Sequence, residues 1–289
     1  MPEQPGPFQT PEEAFQYLRR LGSAADKDID LAEAALALGL VFLPGLNIDR
    51  YRQHLRRLFE QVAEDFQSHL RKKEADTLAL RVRVLRRVIH ETNGYQGDEK
   101  NYDDIQNANF IRVIERRRGL PVSLGIIYIF LARKAGWACE GLNFPGHFIV
   151  RMEKDSARII IDPFKEGQEM NAALLRQLLK SIIGKNAELS HNFYDPVSNR
   201  EILLRLENNL KKRLIDGEDY AQAIIAAEAI EAFSPQEYRT YLDKGVLYAK
   251  LGQNSQAITA LEAYIEKTPH AKEKQQALRL LQQIKTESD

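Results

Sequence analysis

Between residues 204 and 271 the chain repeats itself every 34 residues, and this period restricts its fold more than any other feature. Gln222, Ala223, Ile224 and Pro235 recur as Gln256, Ala257, Ile258 and Pro269. A period of this length is a helix, a turn and a second helix, whose apolar faces are buried only against a neighbouring copy. Two copies can be drawn, near 204–237 and 238–271, followed by a capping helix from Ala271 to Ile284. Gly217 and Gly252 are 35 residues apart, so the turn of the first copy has slipped by one. Since about three copies are needed for independent stability, the array is expected to pack on the segment before it.

Gly245, Tyr248, Ala257, Leu261 and Pro269 fall at the offsets of a tetratricopeptide repeat, an architecture used for binding other proteins. The length of 289 residues leaves room for a further domain with a real core. Lys+Arg and Asp+Glu both number 41, so no whole-molecule attraction for nucleic acid or anionic membranes exists. The single cysteine, Cys139, excludes an intramolecular disulfide and any multi-thiolate metal site, which suits a reducing, cytoplasmic compartment. Met1 to Phe8 does not read as a signal peptide, and the apolar run Ala34 to Leu46 is shorter than the roughly 20 residues a membrane span needs.

Upstream of the repeats, residues 9–92 read as helical. Pro11 opens one helix and Asp30 a second. A third runs from Asp49 to Lys73 with Tyr51, Leu55, Leu58, Val62 and Phe66 as its apolar stripe. Turn residues at 93–98 break the pattern, a helix is expected from Asn107 to Arg117, and a largely apolar one from Ser123 to Ala135, closed by Gly136. Phe144–Glu153 and Arg158–Phe164 read as an antiparallel hairpin.

The densest chemical grouping lies between 119 and 164. If the hairpin turn is Lys154-Asp155, opposed residues sum to 309 and His147 faces Asp162 across the pair. A three-residue turn would put them on opposite faces. Ser123, at the start of the apolar helix, would complete a nucleophile, base and orienting acid for acyl transfer. Each residue also has an ordinary role: Ser123 as a helix cap, His147 as a strand residue, Asp162-Pro163 as a turn. Tyr95, Tyr102, Asn107 and Phe144 flank the three in sequence and are the candidate binding residues, although packing is the common role of such aromatics. The other histidines lack metal-ligand spacing and no Gly-rich phosphate loop is present, so neither metal nor cofactor is expected.

The succession Gly-Leu-Pro-Val-Ser-Leu-Gly, Phe-Pro-Gly-His-Phe and Ile-Asp-Pro-Phe, followed by the repeats, resembles the bacterial SirB-type family of transglutaminase-like proteins. The resemblance implies an α+β fold: a helical N-terminal region (1–95), a papain/transglutaminase-like core with a central helix on an antiparallel sheet (96–197), and α-helical repeats (198–289). It implies that His147 and Asp162 match the family's histidine and aspartate, and that Ser123 lies near the position where active relatives carry a cysteine. A hydroxyl needs concerted proton removal where a thiol can form a thiolate, so cysteine-type transamidation is not expected. Two functions follow as expectations. The first is a non-catalytic or vestigial scaffold that binds a protein or peptide through repeats and cleft; the second is a Ser-His-Asp acyl hydrolase or amidase acting on peptide or isopeptide-like bonds.

Overall fold

The computed structural model describes residues 6–288, with side chains as far as Thr286. Met1–Pro5, the start of the stretch read above for a signal peptide, lies outside the described residues. Helix α1 (Pro11–Ser23) starts at a capping box in which Thr10 and Glu13 satisfy each other's main-chain N–H groups. Helix α2 (Leu31–Leu40) begins where the Asp30 carboxylate accepts from the N–H groups of Ala32 and Glu33. Apart from Glu33 it is buried throughout, and it forms a central rod of the core. Helix α3 (Asp49–Arg71) buries Tyr51, Leu55, Leu58 and Val62, and α4 (Leu78–Arg86) continues as a wider π turn over Arg87–Thr92.

Strands β1 (Gln96–Gly97) and β2 (Arg118–Gly119) form a short parallel pair around helix α5 (Phe110–Arg116). The Asn109 side chain caps α5, so it starts three residues later than Asn107; residues 105–108 form a 3-10 turn instead. Helix α6 (Pro121–Lys134) is the expected central helix, though it starts two residues before Ser123 because Pro121 suits its first turn. It packs on a five-stranded antiparallel sheet in the order β6-β5-β4-β3-β7: β3 (Ala138–Leu142), β4 (Val150–Lys154), β5 (Ala157–Asp162), β6 (Gln168–Glu169) and β7 (Pro196–Val197). Helix α7 (Ala172–Ile183) lies between β6 and β7 in sequence.

The hairpin register differs from expectation. Lys154 pairs with Ala157 and Val150 with Ile161, so the turn is Asp155-Ser156 and opposed residues sum to 311. Asp155 takes the left-handed conformation that the turn needs (φ 54°), a conformation short polar Asp tolerates. Both pairings use a two-residue turn and differ by two, so every side chain keeps its face. His147 lies in the bend before β4, not inside the strand.

The repeats supply helices α8 (Asn199–Asp216), α9 (Tyr220–Phe233), α10 (Arg239–Lys250), α11 (Asn254–Lys267) and α12 (Ala271–Ser288). Their first pair does pack on the preceding segment. Ile202, Leu203, Leu206 and Leu210 of α8 and Ile230 and Phe233 of α9 belong to the same buried cluster as Leu36 of α2, Ile126 of α6 and Val150 of β4. Asp26, from the N-terminal region, accepts from the main-chain N–H groups of Asn199 and Arg200 and so helps to cap α8. Ala257, Leu261, Leu281 and Ile284 form a smaller cluster of their own. Among the described residues no helix is long and apolar enough to cross a membrane.

Candidate functional site

His147 and Asp162 meet even though the strands do not pair them. Asp162 ends β5, and Phe144-Pro-Gly-His147 turns back toward it before β4. Gly146 makes that turn possible: its φ is +69°, and a Cβ there would lie 2.4 Å from Cγ2 of Ile182. His147 Nε2 is 2.9 Å from Asp162 Oδ1, which also accepts from the Phe164 N–H at 2.9 Å. Asp162 is 2% exposed, so its carboxylate is held by these two donors. With Nε2–H donating to the carboxylate, Nδ1 is the imidazole nitrogen left for proton transfer. The ring of Phe164 stands edge-on to His147 at 6.1 Å, and Tyr102 packs edge-on to Phe164 at 5.7 Å.

Ser123 is placed differently from the expectation. It is the third residue of α6, not its cap; Leu120 holds the cap position and makes no side-chain capping bond. The hydroxyl is wholly buried and donates to the main-chain carbonyl of Asn107 at 3.0 Å. The same carbonyl accepts from the Leu120 N–H, so Asn107 ties the 105–108 turn to the start of α6. Among the described residues no hydrogen bond joins Ser123 to His147. The structure brings two of the three residues together and ties the third to backbone.

Of the candidate binding residues, only Tyr102 is exposed. Tyr95 is buried, and its hydroxyl meets His54 Nε2 at 2.9 Å and a guanidinium nitrogen of Arg117 at 2.7 Å. Burial, with the charges of Arg117 and Arg57, lowers the His54 pKa to about 4. Asn107 is buried, its amide donating to the Asn101 carbonyl and its side-chain oxygen accepting from Arg116. Phe144 packs in a small cluster with Leu142, Ile149, Leu175 and Leu179. Cys139 lies in β3 and is buried, which pushes its thiol up to about 12 and leaves it protonated at neutral pH.

Three further side chains matter near the pair, one inside the motifs and two outside them. Phe148, next to His147, is wedged between Gly125 of α6 and Gly141 of β3. Arg205 of α8 lies over the Phe148 ring and donates to the Phe144 carbonyl. Arg213 of the same helix donates to the Tyr102 carbonyl. Both glycines stand in the sequence as possible close approaches, but nothing local marks the two arginines, which act across 61 and 111 residues. Phe164 also lines a cleft of about 790 Å³ with Arg86, Gln96, Lys100, Arg118 and Lys165; Ser123, His147 and Asp162 do not line it.

A central helix on an antiparallel sheet, a histidine hydrogen-bonded to an aspartate across the sheet end, and appended helical repeats define a transglutaminase-like protein. Residues 49–208 match the transglutaminase-like superfamily, and the chain belongs to it; residues 210–285 match the tetratricopeptide repeat. Within that family it is similar to the UPF0162 protein of Vibrio cholerae serotype O1, at 30% identity over 249 residues (85% of this chain, 90% of that one). The UPF0162 protein of Xylella fastidiosa strain Temecula1 is 28% identical over 254 residues, covering 86% and 88%. Protein SirB1 of Salmonella typhimurium is 30% identical over 159 residues, covering 55% of this chain and 59% of its own.

Proposed function

We propose that this chain is a protein-binding scaffold whose transglutaminase-like site is vestigial, the repeats and the surface beside the His147 bend serving as recognition surfaces. The observation that carries this reading is the state of the hydroxyl. A serine nucleophile needs its base within hydrogen-bond reach and space for an electrophile. Ser123 has neither: its side chain is wholly buried and its proton goes to the Asn107 carbonyl. Cys139, buried in a strand and protonated at neutral pH, is no substitute. The repeats support the binding half of the reading, since helical arrays of this kind present surfaces for peptides and helices. The single free thiol suits a cytoplasmic location.

The preserved His147–Asp162 pair favours the second reading, an acyl hydrolase using Ser123. A fluorophosphonate probe separates the two. The native chain is expected to remain unlabelled at Ser123. Labelling there that disappears in His147→Ala would overturn the scaffold reading. Ser123→Cys is likewise expected to release no ammonia from a glutamine-containing peptide, because a thiol at that position inherits the same burial.

A further inference from the structure

Arg205 differs from the other basic residues around the seam between repeats and core. Its guanidinium is half-buried, lies 5.6 Å from the centre of the Phe148 ring, and makes one hydrogen bond, to the Phe144 carbonyl at 3.3 Å. Among the described residues no carboxylate lies within 4 Å of it. Arg213, two turns along α8, has its charge answered by Asp103 at 3.4 Å and the Tyr102 carbonyl at 2.9 Å. A guanidinium carries five N–H donors in a planar fork, so Arg205 has donors to spare, and burial holds its pKa below the ordinary guanidinium range. Desolvating a cation without a counter-charge is unfavourable, and a carboxylate relieves this best, by accepting two parallel bonds from the fork.

The surroundings are apolar. Of the seven large apolar side chains exposed among the described residues, four stand on the two segments that flank the His147 bend: Tyr102 and Ile105 on one, Ile182 and Ile183 at the end of α7 on the other. Tyr102 reaches His147 through Phe164, and Ile182 packs directly on Gly146. Clusters of this kind, centred on an aromatic and an arginine, are the usual anchors of protein recognition.

We propose that the seam between α8 and the His147 bend binds an acidic side chain of an extended partner segment, with apolar residues on both sides of the acid. This rests on the protein-binding reading of the chain and names the chemistry of its partner. An internal acidic residue fits better than a chain terminus because apolar side chains flank the bend on both sides. Arg205 supplies the charge and the fork, Tyr102 and Ile182 the two apolar contacts.

The test uses the full chain with isotope-labelled isoleucine methyl groups, titrated with Ac-Leu-Glu-Leu-NH2 and with its neutral isostere Ac-Leu-Gln-Leu-NH2. The Glu peptide is expected to shift the Ile105 and Ile182 methyls saturably and to bind about tenfold more tightly than the Gln peptide, the equivalent of one good charge-assisted bond. Arg205→Met, which keeps an apolar stem on Phe148, is expected to remove the difference, and Arg205→Lys to keep part of it. Equal affinities in the native chain, or a difference that survives Arg205→Met, overturn the carboxylate assignment while the scaffold reading stands. Failure of both peptides to move these methyls overturns the docking site. Labelling of Ser123 by fluorophosphonate overturns the scaffold reading whatever the peptides do.

Discussion

Two buried carboxylates differ in what donates to them. Asp162 is buried but accepts from the His147 imidazole and the Phe164 N–H. Asp162→Ala removes the acceptor from both, leaving a buried N–H unsatisfied and the imidazole free to rotate, and is expected to cost about 1–3 kcal/mol in urea denaturation. Asp162→Asn keeps one oxygen and is expected to lose less; an alanine variant as stable as the native chain would show the pair to be incidental. Glu207 of α8 is buried with its Oε1 unpartnered, and burial raises its carboxyl from 4.5 to about 8, against the opposing charge of Lys211. Between those values the native chain keeps a proton that the unfolded chain releases. Stability is therefore fully present below about pH 4.5 and declines as pH rises toward about 8. In Glu207→Gln this decline is expected to flatten, read as a urea midpoint that falls less between about pH 5 and about pH 8; an unchanged slope would assign the decline to another group.

At the scale of elements, one side chain is wedged between the central helix and the sheet. Phe148 is 1% exposed and touches the Cα positions of Gly125 on α6 and Gly141 on β3, from both of which a Cβ would lie about 2.4–2.5 Å from its ring. A Gly→Ala change inside a helix ordinarily gains up to ~1 kcal/mol. Here the ring is pinned on both sides and cannot yield, so Gly125→Ala is expected to destabilise by about 1–3 kcal/mol, with Phe148→Leu partly restoring it in a double-mutant cycle. Independent, additive effects would show that the two residues do not press on one another. The same elements show what a sequence carries. Thr10, Asp30 and Asn109 sit at helix starts because capping is local chemistry, and the 3.6-residue stripe of α3 needs only its own residues to be seen. The His147–Asp162 contact forms as expected but by another route: the bend before β4, not cross-strand pairing, carries His147 to the end of β5. The register itself was not legible, because Lys154-Asp-Ser-Ala157 offers two adjacent turn pairs and only the packing of β4 and β5 selects Asp155-Ser156. The burial of Ser123 and the reach of Arg205 were illegible for another reason: they depend on Asn107 and Phe144, brought close by the fold and not by spacing.

For the whole molecule, the repeats are not an appendage to a finished domain. Helix α8 places Ile202, Leu203, Leu206, Leu210 and Leu214 in the core that also holds α2 and α6, and each such side chain contributes on the order of 1.5–3 kcal/mol by burial. Asp26 caps α8 from the N-terminal region, and Arg200 donates to the Leu21 and Ala24 carbonyls at the end of α1. By contrast, α11 and α12 meet in a small cluster of their own, and α10 reaches the main core through Leu247, with Tyr248 packed against it. Stability should follow this division. A chain ending at residue 197 loses the α8 stripe, exposes α2 and α6, and is expected to bind a hydrophobic dye and show no cooperative urea transition. A chain ending at 237 keeps α8 and α9 and is expected to unfold cooperatively, at a lower midpoint than the full chain. In the full chain, amides of 254–288 are expected to exchange faster than those of α8, since local opening there breaks fewer buried contacts. A cooperative, dye-free 1–197 fragment would mean that the core closes without the repeats. The Arg205 seam would then lie between two independently folded parts, and no longer inside one.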